Sequence, residues 1–271
     1  MNEGVFFRFF LVAWLSISII SCFTLLFVSA PYGRHIRSGW GPTLRNRWGW
    51  MLMEAPSAIG FFVWFLLGHG WRSAVACVFL GLWEFHYLYR AFIYPFTLRD
   101  RGKSMPVSVI VMAAFFNLGN SYLNARYLFT LSNGYPLAWL VDIRFIFGVA
   151  LYIVGTVINR QSDAILRGLR RSQETGYRIP YGGLFRWVSS PNYMGEIIEW
   201  LGWAIATWSL PGLSFAIWTY ANLAPRAFAN HRWYQQHFPD YPPERQALFY
   251  FPFRKPAAAH GKELADKEHS T

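Results

Sequence analysis

The sequence predicts an all-α integral membrane protein, a seven-transmembrane-helix bundle around an internal polar cavity. Three observations carry that expectation. Of 271 residues, 54% are hydrophobic and 20% aromatic, and only 14% are charged; soluble domains carry about a quarter charged residues. Seven apolar spans can be read, with most basic residues in the connections between them. Polar residues inside the spans recur at helical spacing, so several helices turn a polar stripe inward.

The spans follow in order, each judged against the about 20 residues needed to cross a bilayer. The first covers roughly 5–30. Val28-Ser29-Ala30 resembles a cleavage site, but the amino end lacks a basic region and the apolar run exceeds a signal-peptide core. The second, 51–68, is near the short limit and carries Glu54 at its start. The third, 73–95, holds Glu84, His86, Tyr87 and Arg90 in "WEFHYLYR". The fourth, 106–130, places Asn117, Asn120 and Asn124 at i, i+3 and i+7. The fifth, 138–159, begins with Asp142 and Arg144 and ends at Asn159; Asp163, Arg167 and Arg170 continue that face. The sixth, 193–209, follows Asn192 and stacks it with Glu196, Glu199 and Trp203. Pro211 separates it from the seventh, 211–229, and the pair reads either as a hairpin or as one broken segment. Residues 1–255 form one domain, and 256–271 form a polar tail without a chemical role.

Charge placement orients the bundle. The formal net charge is +11. Arg and Lys gather after the first, third, fifth and seventh spans, while "TLSNGYPLAW" on the opposite side has none. The basic side is cytoplasmic by the positive-inside rule, which puts the carboxy terminus in the cytoplasm. Basic residues between apolar runs are membrane flanks, not a phosphate groove, so nucleic acid is not an expected partner and membrane lipid is. Fourteen Trp and fifteen Tyr suit interfacial belts. Cys22 and Cys77 lie inside apolar runs, and no His/Cys/carboxylate set has metal spacing.

Ionisable residues within spans are functional candidates, because each needs a partner or a water-filled cavity. Structural alternatives stand beside them. The three asparagines can simply hold helices together. Asp142 and Arg144 can form a local pair, Glu84 can neutralise Arg90 or another cation, and His86 can be a packing residue. Two glutamates one turn apart beside Asn192 suit recognition of hydroxyls, such as those of a ribose. The basic segment 160–191 then offers partners for phosphates.

Several stretches resemble the steroid 5α-reductase family. They are "GYRIPYGGLFRWVSSPNYMGEIIEWLGWAIATWSLPGLSFA", "NLAPRAFANHRWYQQHFPDYPPERQALFYFPF", "NARYL", "DIRFIFGVALYIVGTVIN", "SDAILRGLR" and "HYLYRAFIYPF". The likeness covers most of residues 50 to 253. It implies a seven-helix membrane reductase that takes NADPH and reduces the Δ4 double bond of 3-oxo steroids, with hydride to C5 and a proton to C4. The steroid, or another apolar enone, would come from the bilayer, and the membrane would be the bacterial inner membrane or the endoplasmic reticulum. The resemblance assigns Glu54 and Tyr87 to the substrate end as catalytic residues. It assigns Asn192, Glu196, Tyr177, Arg178, Asn159, Asp163, Arg170, Arg90 and Tyr234 to the cofactor, and Glu199 joins them by its place on the same face. Lys103 stands where relatives carry Arg, which keeps charge but loses the bidentate fork. Met53 replaces the family's Gln, and Asn230 stands where some relatives have His. "SPNYMGE" is shared with a wider superfamily, so polyprenol or enoyl-CoA reduction and isoprenylcysteine-type methyl transfer from S-adenosylmethionine remain alternatives. No GxGxxG follows a strand, so NADPH would be held without a Rossmann fold.

Overall fold

The structure, a computed structural model, describes residues 2–28, 39–98, 104–169 and 176–249. Lys103, Arg170 and the tail from 256 lie outside the described residues.

Helix α1 (Glu3–Phe27) is capped by Asn2, whose side chain accepts a hydrogen bond from Gly4. It buries only Phe7, Leu11, Trp14 and Ser18, a stripe at helical spacing. Trp218 Nε1 donates to the Trp14 carbonyl at 2.9 Å and ties α1 to the last helix. Strands β1 (Thr43–Arg45) and β2 (Ser104–Pro106) pair antiparallel. They lead directly into α2 (Asn46–Leu67) and α5 (Val107–Arg126), so this short ribbon sets two helices side by side. The third span is in three pieces. Helix α3 (Ala74–Leu88), capped by Ser73, runs into a π turn (Tyr89–Ile93) and then the short α4 (Tyr94–Thr97). A second π turn, Tyr127–Leu131, ends α5.

Helix α6 (Ile143–Gly168) starts on Asp142, which caps Arg144 N at 2.9 Å. The Arg144 guanidinium also donates to both carboxylate oxygens, at 2.9 and 2.8 Å. These hydrogen bonds hold the Asp142 carboxyl down at a pKa of about 2. The pair is the local structural one. Helices α7 (Pro191–Thr207) and α8 (Leu210–His237) form a hairpin rather than a broken rod. Trp208 turns the chain in the left-handed region, at φ 43°, and Ser209 caps Gly212. Tyr135 and Trp139 close the far end of α7 by donating to the carbonyls of Thr207 and Ala206.

Among the described residues, four helical segments are long and apolar enough to cross a membrane: Glu3–Phe27, Asn46–Leu67, Val107–Leu131 and Ile143–Gly168. The protein is therefore a mostly helical, multi-pass membrane protein. The other rods are less apolar or shorter for a reason. Helix α3 is interrupted by the π turn, and α7 and α8 carry Asn192, Glu196, Asn222 and Arg226.

An aromatic cluster holds the middle together. Phe61 stacks on Trp83 at 4.3 Å, and Trp200 meets Phe215 at 4.2 Å. Helices α6 and α7 touch backbone to backbone along Gly148, Gly155, Gly195 and Gly202. A Cβ at Gly155 would overlap the Glu199 nitrogen, and one at Gly202 would overlap that of Tyr152. Gly155→Ala should therefore cost about 1–3 kcal/mol by overpacking. Gly81→Ala, where a Cβ meets nothing within 4 Å, is the control. Unfolding midpoints in detergent measure both; equal midpoints for the two variants would remove the argument.

Candidate active site

Helices α2 to α8 enclose a cavity of about 380 Å³. That size lies in the range of small-molecule sites. Trp200, Phe215, Phe116 and Trp218 supply apolar wall, and polar groups gather in two places.

The first group joins α2, α3 and α5. Tyr87 OH donates to Asn117 Oδ1 at 3.4 Å. Asn117 Nδ2 in turn donates to Glu54 Oε2 at 3.4 Å and to the Met53 carbonyl at 2.5 Å. Asn117 thus links Tyr87 to Glu54. All three line the cavity. The rest of the asparagine stripe does something else. Asn124 Nδ2 donates to Asn120 Oδ1 at 3.1 Å, and Trp203 Nε1 donates to Asn124 Oδ1 at 3.0 Å. Asn124 thus ties α5 to α7, as intramembrane amides do, while Asn120 holds the Asn124 amide from within α5.

The second group joins the π turn, α6 and α7. Asn159 Nδ2 donates to the Asn192 carbonyl at 2.9 Å and to Glu196 Oε2 at 3.4 Å. Asn192 Nδ2 donates to Asp163 Oδ1, and Arg90 Nη1 donates to Asp163 Oδ2, both at 3.4 Å. The Arg90 guanidinium lies over the rings of Trp50 and Tyr94, each at 4.7 Å, where it gains cation–π attraction. The glycine seam brings these side chains together, because it seats α6 directly against α7. Among the buried polar atoms of the cavity wall, Arg90 Nε and Asn222 Oδ1 have no hydrogen-bond partner among the described residues. A buried donor and a buried acceptor left open are costly, so they mark where a polar ligand fits.

Other sequence-selected residues lie elsewhere. Glu199 is 1% exposed and is not part of the cavity wall; its Oε1 accepts from His86 Nδ1 at 2.8 Å. Glu84 does not pair with Arg90, and its Oε1 is buried without a hydrogen-bond partner among the described residues. Tyr177, Arg178 and Tyr234 do not line the cavity. Tyr177 meets Trp233 edge-on at 5.1 Å, and Tyr234 stacks on Tyr241 at 5.3 Å. That neighbourhood is tied to the chain before α7 by Ser189, 2.6 Å from both His231 Nδ1 and Tyr241 OH. Burial pushes the Tyr241 phenol up. Among the described residues, no group of three or more His, Cys, Asp or Glu could hold a metal ion.

Residues 103–253 match the sequence profile of the family described as 3-oxo-5-alpha-steroid 4-dehydrogenase, more than half of the chain. The chain belongs to the 3-oxo-5-alpha-steroid 4-dehydrogenase family. Similar proteins extend the match toward the amino terminus. Steroid 5-alpha-reductase DET2 of Gossypium hirsutum is 39% identical over 254 residues, covering 92% of this chain and 98% of that protein. 3-Oxo-5-alpha-steroid 4-dehydrogenase 2 of Rattus norvegicus is 44% identical over 229 residues, 83% and 88% of the two chains. The protein of the same name from Homo sapiens is 43% identical over 233 residues, 84% and 91%.

Within this 3-oxo-5-alpha-steroid 4-dehydrogenase family member, Asn117, His86, Asn222 and Arg226 line the cavity without having been selected as site residues. Asn117 and His86 carried a signal as polar residues inside spans, but each had a structural explanation. Asn222 and Arg226, four residues apart within 211–229, carry the same signal at helical spacing.

Proposed function

We propose that the protein reduces the Δ4 double bond of 3-oxo steroids inside a bundle that crosses the membrane seven times, with NADPH as reductant. The observation that carries the reading is one cavity whose wall holds two hydrogen-bonded polar groups, read as a substrate end and a cofactor end. Glu54, Asn117 and Tyr87 form one, and Asn159, Asp163, Asn192, Glu196 and Arg90 form the other. The relatives' names speak of the same reaction.

The residues fit the chemistry. At the first end, the Tyr87 hydroxyl can turn from Asn117 to a ketone oxygen at C3 and donate a hydrogen bond. Electron density leaving the double bond collects on that oxygen as an enolate, and a donor aimed there lowers the barrier. Glu54, joined to Tyr87 through Asn117, positions the same end. At the second end, carboxylates and amides suit ribose hydroxyls and a carboxamide, and Arg90 and Arg226 bring positive charge to the wall. The open Arg90 Nε and Asn222 Oδ1 are the fit test for a polar cofactor. When bound, the reduced nicotinamide supplies the hydride for C5. Arg170, Lys103, Tyr177, Arg178 and Tyr234 belong to the cofactor proposal by resemblance alone, while Glu199, off the cavity wall and bonded to His86, acts through that histidine instead.

The test is incubation with NADPH and a panel of Δ4-3-oxo steroids, polyprenals and enoyl-CoAs, with products identified by mass and stereochemistry. A 5α-reduced 3-oxo steroid is the expected product. Conversion of only a polyprenal or an enoyl-CoA would reassign the substrate.

Two further outcomes are expected. Glu196→Gln and Asn192→Ala should each weaken NADPH binding by about 1–3 kcal/mol, the cost of a lost buried hydrogen bond. Titration followed by nicotinamide fluorescence measures it, and unchanged affinity in both would move the cofactor off α7. The Arg and Lys asymmetry also orients the chain, with the carboxy terminus cytoplasmic. A reporter active only outside the cytoplasm, fused after residue 253, should be silent; an active fusion would reverse the topology.

A further inference from the structure

His86 and Glu199 form a buried hydrogen-bonded pair that the proposed steps leave without a task. His86 sits on α3 immediately before Tyr87, and Glu199 sits on α7. The imidazole Nδ1 donates to Glu199 Oε1 at 2.8 Å, with side chains 7% and 1% exposed. His86 lines the cavity and Glu199 does not. With Nδ1 engaged on the side away from the cavity, Nε2 is the ring nitrogen left to face it. Trp200 and Tyr87 fix the ring plane, edge-on at 4.7 and 5.0 Å. A carboxylate holding one imidazole nitrogen fixes the ring's orientation and stabilises the imidazolium.

From this geometry we propose that His86, oriented by Glu199, delivers the proton to C4 of the reduced steroid. The proposal rests on the reading of the site given above. C4 is bonded to C3, so its proton donor must stand beside the group that holds the C3 oxygen. His86 is that neighbour of Tyr87. Tyr87 and Glu54 are committed to the oxygen through Asn117, and Glu196 is engaged by Asn159. The step balances. The enolate's electron pair forms the C4–H bond as the C3 carbonyl re-forms. The Nε2–H bond breaks and leaves its pair on nitrogen. The neutral imidazole takes its next proton from water in the cavity. With the hydride at C5, one molecule of hydrogen has been added across the double bond. Glu199 is a positioning residue, and His86 is the group that touches substrate.

The test runs the protonation step backwards, without consuming a reduced cofactor. Purified protein with NADP⁺ and a saturated 3-oxo-5α steroid is placed in D₂O, and deuterium at C4 is followed by mass spectrometry and NMR. The parent should exchange one C4 hydrogen stereoselectively. His86→Phe should slow that exchange by roughly 10²–10⁴, the span of general acid–base catalysis. Glu199→Gln should slow it roughly tenfold while the ring remains. In forward turnover, His86→Phe should raise the solvent deuterium isotope effect on kcat. Both variants should keep NADPH affinity within about threefold of the parent, which reports an intact fold, on the scale where 1.4 kcal/mol is tenfold. Exchange by His86→Phe at the parent rate would overturn the proposal. So would loss of NADPH binding in both variants, which would make the pair a structural tie. A parent that exchanges C4 but binds no NADPH would sink the cofactor reading and leave the proton assignment standing.

Discussion

Tyr87→Phe should turn over roughly 10²–10³ more slowly than the parent, the scale for losing one donor to a developing oxyanion. The substitution removes one oxygen and little volume. The ring packs between Trp83 and Trp200, at 5.0 and 5.7 Å, and Phe keeps those contacts. Fold and cofactor binding should therefore survive. The hydroxyl's donation to Asn117 Oδ1 is lost, but at 3.4 Å it is long enough to be weak. The defect should be in kcat, with NADPH affinity unchanged, because the missing interaction strengthens only in the transition state. A Tyr87→Phe protein that binds NADPH and turns over near the parent rate would mean that Glu54 or water holds the ketone oxygen. Glu54→Gln should also slow turnover, by less if its amide can still donate.

Arg90→Met should produce the largest loss of stability, about 3–5 kcal/mol. Arg90 is 9% exposed and is the cation bonded to Asp163, while Glu54 and Glu196 also act on it electrostatically. Removing it leaves buried carboxylates facing one another without that partner. Met keeps much of the volume between Trp50 and Tyr94 but none of the charge. Adding Asp163→Asn should recover part of the loss, because it removes the carboxylate that Arg90 bonded. The unfolding midpoint in detergent measures both steps. An Arg90→Met protein as stable as the parent would show that the guanidinium is held for ligand binding alone.

The sequence exposed much of this site for one physical reason. Polar groups in an apolar span or at its edge must be satisfied, so Glu54, Tyr87, Arg90, Asn159, Asp163, Asn192 and Glu196 stand out against their neighbours. All seven line one cavity. The rods were legible too, because apolar runs of span length leave few other structures open to a backbone in lipid. What was not legible depends on neighbours far away in sequence. Helical spacing puts Glu199 on the same stripe as Glu196, yet the stripe is wide enough for one carboxylate to meet the cavity and the other α3. Asn117 and Asn124 share a periodicity and differ only in which helix each meets. The π turn at 89–93, which carries Arg90, has no local signature; such turns gather at functional sites because packing around the site sustains them. The fifth and seventh spans run on to Gly168 and His237, past where hydrophobicity ends, because packing continues the helices there.

The glycine seam between α6 and α7 has a consequence for how a ligand gets in. Side chains at a helix interface can change rotamer and let two rods part slightly; bare backbones in contact have nothing to rearrange. The wall carrying Asn159, Asp163, Asn192 and Glu196 therefore acts as one stiff plate. A fused-ring lipid wider than a side chain cannot pass through it. Elsewhere on the cavity wall stand Met105, Phe116 and Trp218, with Phe116 against Trp218 at 5.0 Å, and there it is side chains, free to change rotamer, that a ligand meets.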